Sequence, residues 1–149
     1  EHVERGADVS IPCLEVPLES ASAFGVMRID EDGRIREFVE KPATPLHAPG
    51  NPSRAMVSMG IYVFNAESLY GYLRTDAQHA ESTHDFGQDV IPRLLRDGAR
   101  VYAHRFSDSC VNMADGHPYW RDVGTVDAYL EANLDLTRAQ PELNMYDEQ

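Results

Sequence analysis

Three short clusters hold the residues with which this chain of 149 residues could do chemistry. The first is Glu40-Lys41-Pro42, in which a carboxylate stands beside the only lysine of the chain. Pro42 keeps the residue before it extended, which places the cluster at the end of a strand. A carboxylate and an ammonium there can hold a hydroxylated, phosphorylated ligand. Strand alternation puts the two side chains on opposite faces unless the chain bends, and the alternative is a solvated ion pair before a loop.

The second cluster, His84-Asp85-Phe86-Gly87, comes just before a predicted helix. Asp85 is suited to cap that helix, because its side chain can accept hydrogen bonds from the free backbone N–H groups of the first turn. The same carboxylate could instead accept hydrogen bonds from sugar hydroxyls while Phe86 packs against the face of a sugar ring. The two roles are compatible, so both stay open.

The third cluster is Trp120-Arg121-Asp122-Val123-Gly124-Thr125, which contains the only tryptophan. In an extended segment Trp120 and Asp122 share a face. A carboxylate on a rigid turn can hold a hard cation such as Mg²⁺ through oxygen, and Gly124 allows close backbone approach or a positive φ. The alternative is a buried tryptophan followed by a turn aspartate.

Strands and helices alternate along the chain, which predicts an α/β fold with a mixed sheet. We predict strands at 8–16, 24–29, 34–39, 55–64 and 100–106, helices at 65–74, 86–96 and 125–139, and a polar loop at 107–118. In the last helix an apolar stripe is expected to face inward: Val126, Tyr129, Leu130 and Leu134.

Composition excludes several classes of protein. A hydrophobic content of 42% is typical of one globular domain, and a net charge of −12 argues against binding to nucleic acid. No apolar run is long enough to span a membrane. Cys13 and Cys110 form no CxxC pair, and no signal peptide is visible, so we expect a reduced, cytoplasmic protein. No HExxH, GxSxG or Walker pattern is present.

The clusters in this order resemble the catalytic domain of bacterial ADP-glucose pyrophosphorylases (glucose-1-phosphate adenylyltransferases). The resemblance covers essentially the whole chain and rests on five stretches: 19–26, 37–42, 58–64, 84–92 and 119–125. A lone Glu-Lys-Pro occurs in many sugar nucleotidyltransferases. The combination of His-Asp-Phe-Gly with Tyr-Trp-Arg-Asp-Val-Gly-Thr is typical of the ADP-glucose branch.

The resemblance implies a sugar nucleotidyltransferase domain, Rossmann-like and glycosyltransferase-A-like. It also implies a reaction: ATP and glucose 1-phosphate give ADP-glucose and pyrophosphate, with Mg²⁺, for glycogen synthesis. Lys41 would contact the phosphate of glucose 1-phosphate, and Asp122 would be one of two Mg²⁺-binding aspartates; these are the implied catalytic residues. The implied sugar-binding residues are Gly25, Glu40, Ser58, Tyr62, Asp85, Phe86 and Trp120.

Members of that family begin with a Gly-rich loop that holds ATP, and no such loop occurs in this sequence. The second metal-binding aspartate and a carboxyl-terminal β-helix domain are also without a counterpart. We therefore expect residues 1–149 to form the sugar-phosphate half of the catalytic domain. We predict little pyrophosphorylase activity from this chain alone, with ATP bound only alongside the other half. An open sheet edge would then favour homo-oligomers.

Two other interpretations stay open. One is a stand-alone module that binds a sugar phosphate or regulates another protein without catalysis. The other is a glycosidase that uses two carboxylates, such as Glu40 and Asp122, about 5–10 Å apart across a sugar.

Overall fold

A mixed sheet of six strands organises residues Glu1–Phe106 in the computed structural model, which describes residues 1–109 and 119–143. The strands are β1 (Val9–Pro17), β2 (Gly25–Ile29), β3 (Ile35–Glu40), β4 (Arg54–Ser58), β5 (Val63–Phe64) and β6 (Val101–Arg105). Their order is β3-β2-β4-β1-β5, and β6 pairs with β1. All pairings are antiparallel except the parallel pairing of β6 with β1. The prediction of an α/β fold with a mixed sheet is confirmed.

The helices are α1 (Ala66–Ala77), α2 (Ile91–Arg96) and α3 (Val126–Asp135). A 3₁₀ helix spans Leu18–Ala23, and a π-helical turn over Phe86–Val90 leads into α2. Asn65 caps α1 through its side-chain oxygen, as its position in the sequence predicts, and the helix runs three residues beyond the expected end at Arg74. Cys110 and most of the loop predicted at 107–118 lie outside the described residues.

The core lies where β1 meets α2. Val9, Ile11 and Cys13 alternate along β1 and are fully buried, which confirms the strand predicted from their period of two. Ile91 and Leu94 of α2 are equally buried and belong to the same cluster. This packing fixes the turn before α2 relative to the sheet.

The single strand predicted at 55–64 is wrong. The chain leaves the sheet after Ser58 and re-enters it as β5. Gly60 lies between them with φ +72°, a conformation that glycine adopts without steric cost and that ends an extended run. An unbroken apolar run in a sequence does not reveal such a reversal.

The chain divides into two compact units, Glu1–Phe106 and Ser107–Gln149. The second unit contains α3, and the inward orientation predicted for its apolar stripe is wrong. Val126 is 84% exposed, Tyr129 61%, Leu130 53% and Leu134 54%. The helical period does predict a stripe, but burial needs a partner surface. Within the described ranges, every helix is too short or too polar to cross a membrane.

Candidate functional site

Glu40 and Lys41 meet at the end of β3 because the chain bends there. Lys41 has φ +45°, and its backbone N–H donates to the carbonyl oxygen of Phe24 at 3.0 Å. The bend overrides strand alternation, so Lys41 Nζ lies 3.9 Å from Glu40 Oε1. The lysine side chain is 67% exposed and the glutamate side chain 19%. A shielded carboxylate and an accessible ammonium therefore stand side by side.

The Glu40 side chain is largely shielded from solvent, and its carboxyl group lies near the charges of Asp85 and Lys41. Gly25, which is buried, stands directly opposite Glu40 in the pairing of β2 with β3. Burial raises the pKa of the Glu40 carboxyl, the Asp85 carboxylate raises it further, and Lys41 lowers it. The two carboxylates are thus close enough to repel each other, which is typical of sites that bind a hydrogen-bond donor or a cation.

Asp85 caps the π-helical turn, as one of its two predicted roles requires. Its Oδ1 accepts from the Gln88 backbone N–H at 2.8 Å, and its own backbone is extended, with φ −95°. The residue remains exposed. The cap fixes the position of the carboxylate without removing it from solvent. The capped carboxylate can therefore still accept hydrogen bonds from a ligand.

A buried carboxylate on α1 holds the segment before Asp85. Asp76 Oδ1 accepts from the Ser82 hydroxyl at 2.7 Å, and Asp76 Oδ2 lies 2.8 Å from His84 Nδ1. These bonds lower the pKa of the Asp76 carboxyl. His84 itself has φ +61°, an uncommon backbone conformation for a residue with a side chain.

A second carboxylate, Asp89, also holds this segment. Its Oδ2 accepts from the Thr83 hydroxyl at 2.6 Å, from the Thr83 N–H at 3.1 Å and from the Asp85 N–H at 3.2 Å. Residue types and spacing in the sequence did not indicate Asp76 or Asp89 as residues of the site. Asp89 could have been found, because a carboxylate four residues after a cap can reach back to the capping loop. Asp76 could not, since its pairing depends on how α1 packs.

Aromatic side chains form one wall of the site. The rings of Tyr62 and Phe86 stack with centroids 5.5 Å apart and planes 19° apart, and Phe64 packs against both. Burial raises the pKa of the Tyr62 hydroxyl, and the hydrogen bond with Ser58 lowers it. The charges of Glu40 and Asp85 raise it further, which places the tyrosine beside both carboxylates.

The first unit therefore brings together seven of the nine predicted site residues: Gly25, Glu40, Lys41, Ser58, Tyr62, Asp85 and Phe86. They supply one accessible cation, two carboxylate acceptors and an aromatic surface. Such a set can bind a molecule with an anionic group, several hydroxyls and an apolar ring face.

The other two predicted residues, Trp120 and Asp122, belong to the second unit. Trp120 is half-buried and Asp122 is exposed. Gly124 does not have a positive φ. A Cβ built on Gly124 would lie 3.3 Å from each Asp122 carboxylate oxygen, so close approach is the property of glycine that is used here.

Asp122 offers carboxylate oxygens, the donor type that Mg²⁺ prefers. In the described part of the chain, no group of three or more His, Cys, Asp or Glu side chains is placed to hold a metal ion. A single carboxylate is compatible with a Mg²⁺ ion only where water and phosphate oxygens supply its remaining ligands, which is the usual state of this cation.

Known proteins resemble this chain over nearly its full length. The sequence matches the nucleotidyl transferase family over residues 1–139. It is 64% identical over 148 residues to a glucose-1-phosphate adenylyltransferase of Nitrosomonas europaea. The aligned stretch covers 99% of this chain and 34% of the relative. The enzymes of the same name from Nitrosospira multiformis and Paramagnetospirillum magneticum are 56% and 55% identical, again over 99% of this chain and 35% and 34% of the relatives.

The chain thus spans about a third of the length of the curated relatives it matches. The match to the family, by contrast, covers all but the last ten of its 149 residues. This chain belongs to the nucleotidyl transferase family.

Proposed function

We propose that this chain forms the glucose-1-phosphate-binding part of a glucose-1-phosphate adenylyltransferase, which converts ATP and glucose 1-phosphate into ADP-glucose and pyrophosphate for glycogen synthesis. The observation that supports it most strongly is the juxtaposition of the only lysine with two carboxylates and a stacked aromatic pair. The names of the relatives supply the matching substrate, a sugar phosphate.

Lys41 would bind the phosphate. Its side chain is 67% exposed and stands at the bend after β3, while the chain as a whole has a net charge of −12. In such a field a phosphate dianion needs a local cation, and a compact ammonium provides a point charge for it. Glu40, 3.9 Å away, keeps the ammonium near the sugar subsite.

Glu40 and Asp85 would bind the glucose hydroxyls. An ionised carboxylate only accepts hydrogen bonds, and hydroxyls donate them. In the described part of the chain no hydrogen bond to the Glu40 carboxylate is found, so its Oε1, which lies near Lys41, can accept from a ligand. The stacked rings of Tyr62 and Phe86 would cover the apolar face of the sugar.

Specificity would follow from the same hydrogen bonds. A sugar that lacks one hydroxyl leaves a shielded carboxylate without its donor, which costs more than the bond itself is worth. The main-chain groups of Gly25 and the hydroxyl of Ser58 would add further polar contacts to the ring.

Asp122 would provide a carboxylate ligand to Mg²⁺, and Trp120 would shape the sugar pocket. When bound, the ion would neutralise phosphate charge during nucleotidyl transfer. Transfer also needs groups that hold ATP, and the sequence contains no Gly-rich phosphate loop. We therefore expect near-background pyrophosphate release from this chain alone. A cytoplasmic location and homo-oligomers remain part of the proposal.

The test is calorimetric titration of glucose 1-phosphate into the chain, with and without Mg²⁺. We expect Lys41→Ala to weaken binding about tenfold or more, because it removes a charge-assisted contact to phosphate. Arg28→Ala is the matched control, since it deletes an exposed cation whose ion pair among the described residues is with Glu37 on the sheet. Absence of binding to the folded wild-type chain, or equal binding by the Lys41→Ala variant, would contradict the proposal.

A further inference from the structure

The Glu40 carboxylate lies in a slot between two glycines from different elements. A Cβ built on Gly25 of β2 would lie 2.8 Å from Glu40 Oε2. A Cβ built on Gly87, in the π-helical turn, would overlap the same oxygen and lie 2.8 Å from Glu40 Cδ. Both distances are shorter than van der Waals contact between a methyl group and a carboxylate. Neither position can hold a side chain while the carboxylate stays where it is.

The two glycines differ in what else they touch. A Cβ on Gly25 would also overlap Phe38, whose ring is buried in the core. The three nearest atoms to a Cβ on Gly87 all belong to Glu40. Gly87 is buried and does not have a positive φ, so alanine can adopt its backbone conformation. Gly87 is thus the position at which an added methyl group meets the glutamate first.

We propose that Gly87 is a positioning residue for Glu40: the missing side chain leaves the space in which the carboxylate is held against β2, with its other oxygen directed towards Lys41. The proposal rests on the proposed function only for the identity of the ligand. The position of the carboxylate is a property of the chain by itself. Asp85 caps the turn that contains Gly87, so one turn would set both carboxylates of the sugar subsite.

The substitution Gly87→Ala separates positioning from folding. The atom that meets the new methyl group is the end of a flexible side chain, which can rotate away at little cost to the fold. Alanine is also favoured over glycine in helical turns. We therefore expect the variant to stay folded and to unfold no more easily than the wild type, while the carboxylate moves out of its slot. Unfolding caused by this one methyl group would contradict the proposal.

The first measurement needs no ligand. The side-chain carboxyl of Glu40 is titrated by carbon-13 nuclear magnetic resonance in the wild type and in Gly87→Ala. Burial and the Asp85 carboxylate raise its pKa in the wild type. In the variant the carboxyl is displaced towards water, so its pKa is expected to fall towards that of an exposed glutamate. The matched control is Gly71→Ala on α1, where an added Cβ meets nothing within 4 Å.

The second measurement is a double-mutant cycle on glucose 1-phosphate binding, followed by calorimetry. We expect Gly87→Ala to weaken binding about tenfold or more, because a displaced acceptor loses its hydrogen bonds to the sugar. In a Glu40→Ala background the same change is expected to have no effect, since no carboxylate remains to be displaced. A merely structural role for Gly87 would weaken binding equally in both backgrounds.

The outcomes separate the two proposals. A wild-type chain that does not bind glucose 1-phosphate contradicts the proposed function, and the Glu40 titration still decides the role of Gly87. An unchanged Glu40 titration in Gly87→Ala overturns the positioning role even if the sugar phosphate binds. Equal losses in the two backgrounds of the cycle overturn it as well.

Discussion

Two helical segments of this chain begin with the same kind of cap and differ in what happens to their apolar residues. Asp85 caps the turn that leads into α2, and Thr125 caps α3. Leu94 of α2 is fully buried, whereas Leu134 of α3 is 54% exposed. In α3 the fully buried residue is instead Asp135. Its Oδ1 lies 2.9 Å from Nη1 of Arg138.

The difference between α2 and α3 shows that an amphipathic pattern predicts a helix with an apolar face but does not predict that this face is buried. A cap and a period of 3.6 residues describe interactions within one helix, and both segments have them. Burial of the stripe requires a second surface. The sheet provides that surface for α2 in the first unit, whereas all four residues of the α3 stripe in the second unit are exposed.

A matched pair of substitutions gives the largest expected effect. Leu94→Ala should lower the free energy of unfolding by about 2–5 kcal/mol, because it leaves a cavity in a packed core. Leu134→Ala should change it by about 0.5 kcal/mol or less, since an exposed side chain loses few contacts. Urea denaturation followed by circular dichroism measures both. A large, concentration-dependent loss in Leu134→Ala would instead show that another copy of the chain covers α3 in solution.

A second pair compares the two caps. Asp85→Ala and Thr125→Ala each remove one side-chain acceptor and should each cost about 1 kcal/mol of stability. Only Asp85→Ala should also weaken glucose 1-phosphate binding. Asp85→Ser keeps a capping oxygen without the charge, so it should restore stability but not full affinity. Equal affinity in Asp85→Ser and the wild type would restrict Asp85 to a capping role.

The smallest effect is expected at Glu40. Its folded-state pKa is raised by burial and by Asp85, so the folded chain holds this proton more tightly than the unfolded chain does. Stability therefore falls as the pH rises from the ordinary glutamate pKa through the raised one. Glu40→Gln should abolish this fall, so it should raise Tm at pH 7 by more than it does near pH 4.

The same variant should bind glucose 1-phosphate more weakly, because an amide is a poorer acceptor for sugar hydroxyls than a carboxylate. Thermal unfolding at the two pH values and one titration with the ligand measure both effects. A lower Tm at pH 7 would mean that the Glu40 charge stabilises the free chain, contrary to the direction of its pKa shift.

Much of the fold could be predicted from local pattern. The alternation along β1 and the cap at Asn65 rest on residues a few positions apart, and the structure confirms both. The break at Gly60 was missed, because an apolar run looks the same whether or not the chain reverses within it.

The candidate site, like the fold, could be predicted from the sequence only in part. The sequence indicated Glu40, Lys41 and Asp85 as residues of the right chemistry, but strand alternation placed the first two on opposite faces. The positive φ at Lys41 brings them together. The bonds that Asp76 makes to the loop before Asp85 depend on the packing of α1, which no spacing in the sequence encodes.

The sequence by itself determined most of the strands and helices, the caps and the family, because these depend on neighbouring residues and on motifs kept in order. Only the tertiary structure decided which apolar stripe is buried, and only it placed the carboxylate of Glu40 between Gly25 and Gly87. Those contacts join residues 15 and 47 positions apart, as the numbers of Gly25, Glu40 and Gly87 show. Contacts of that range exist only once the sheet and the turn before α2 have packed together.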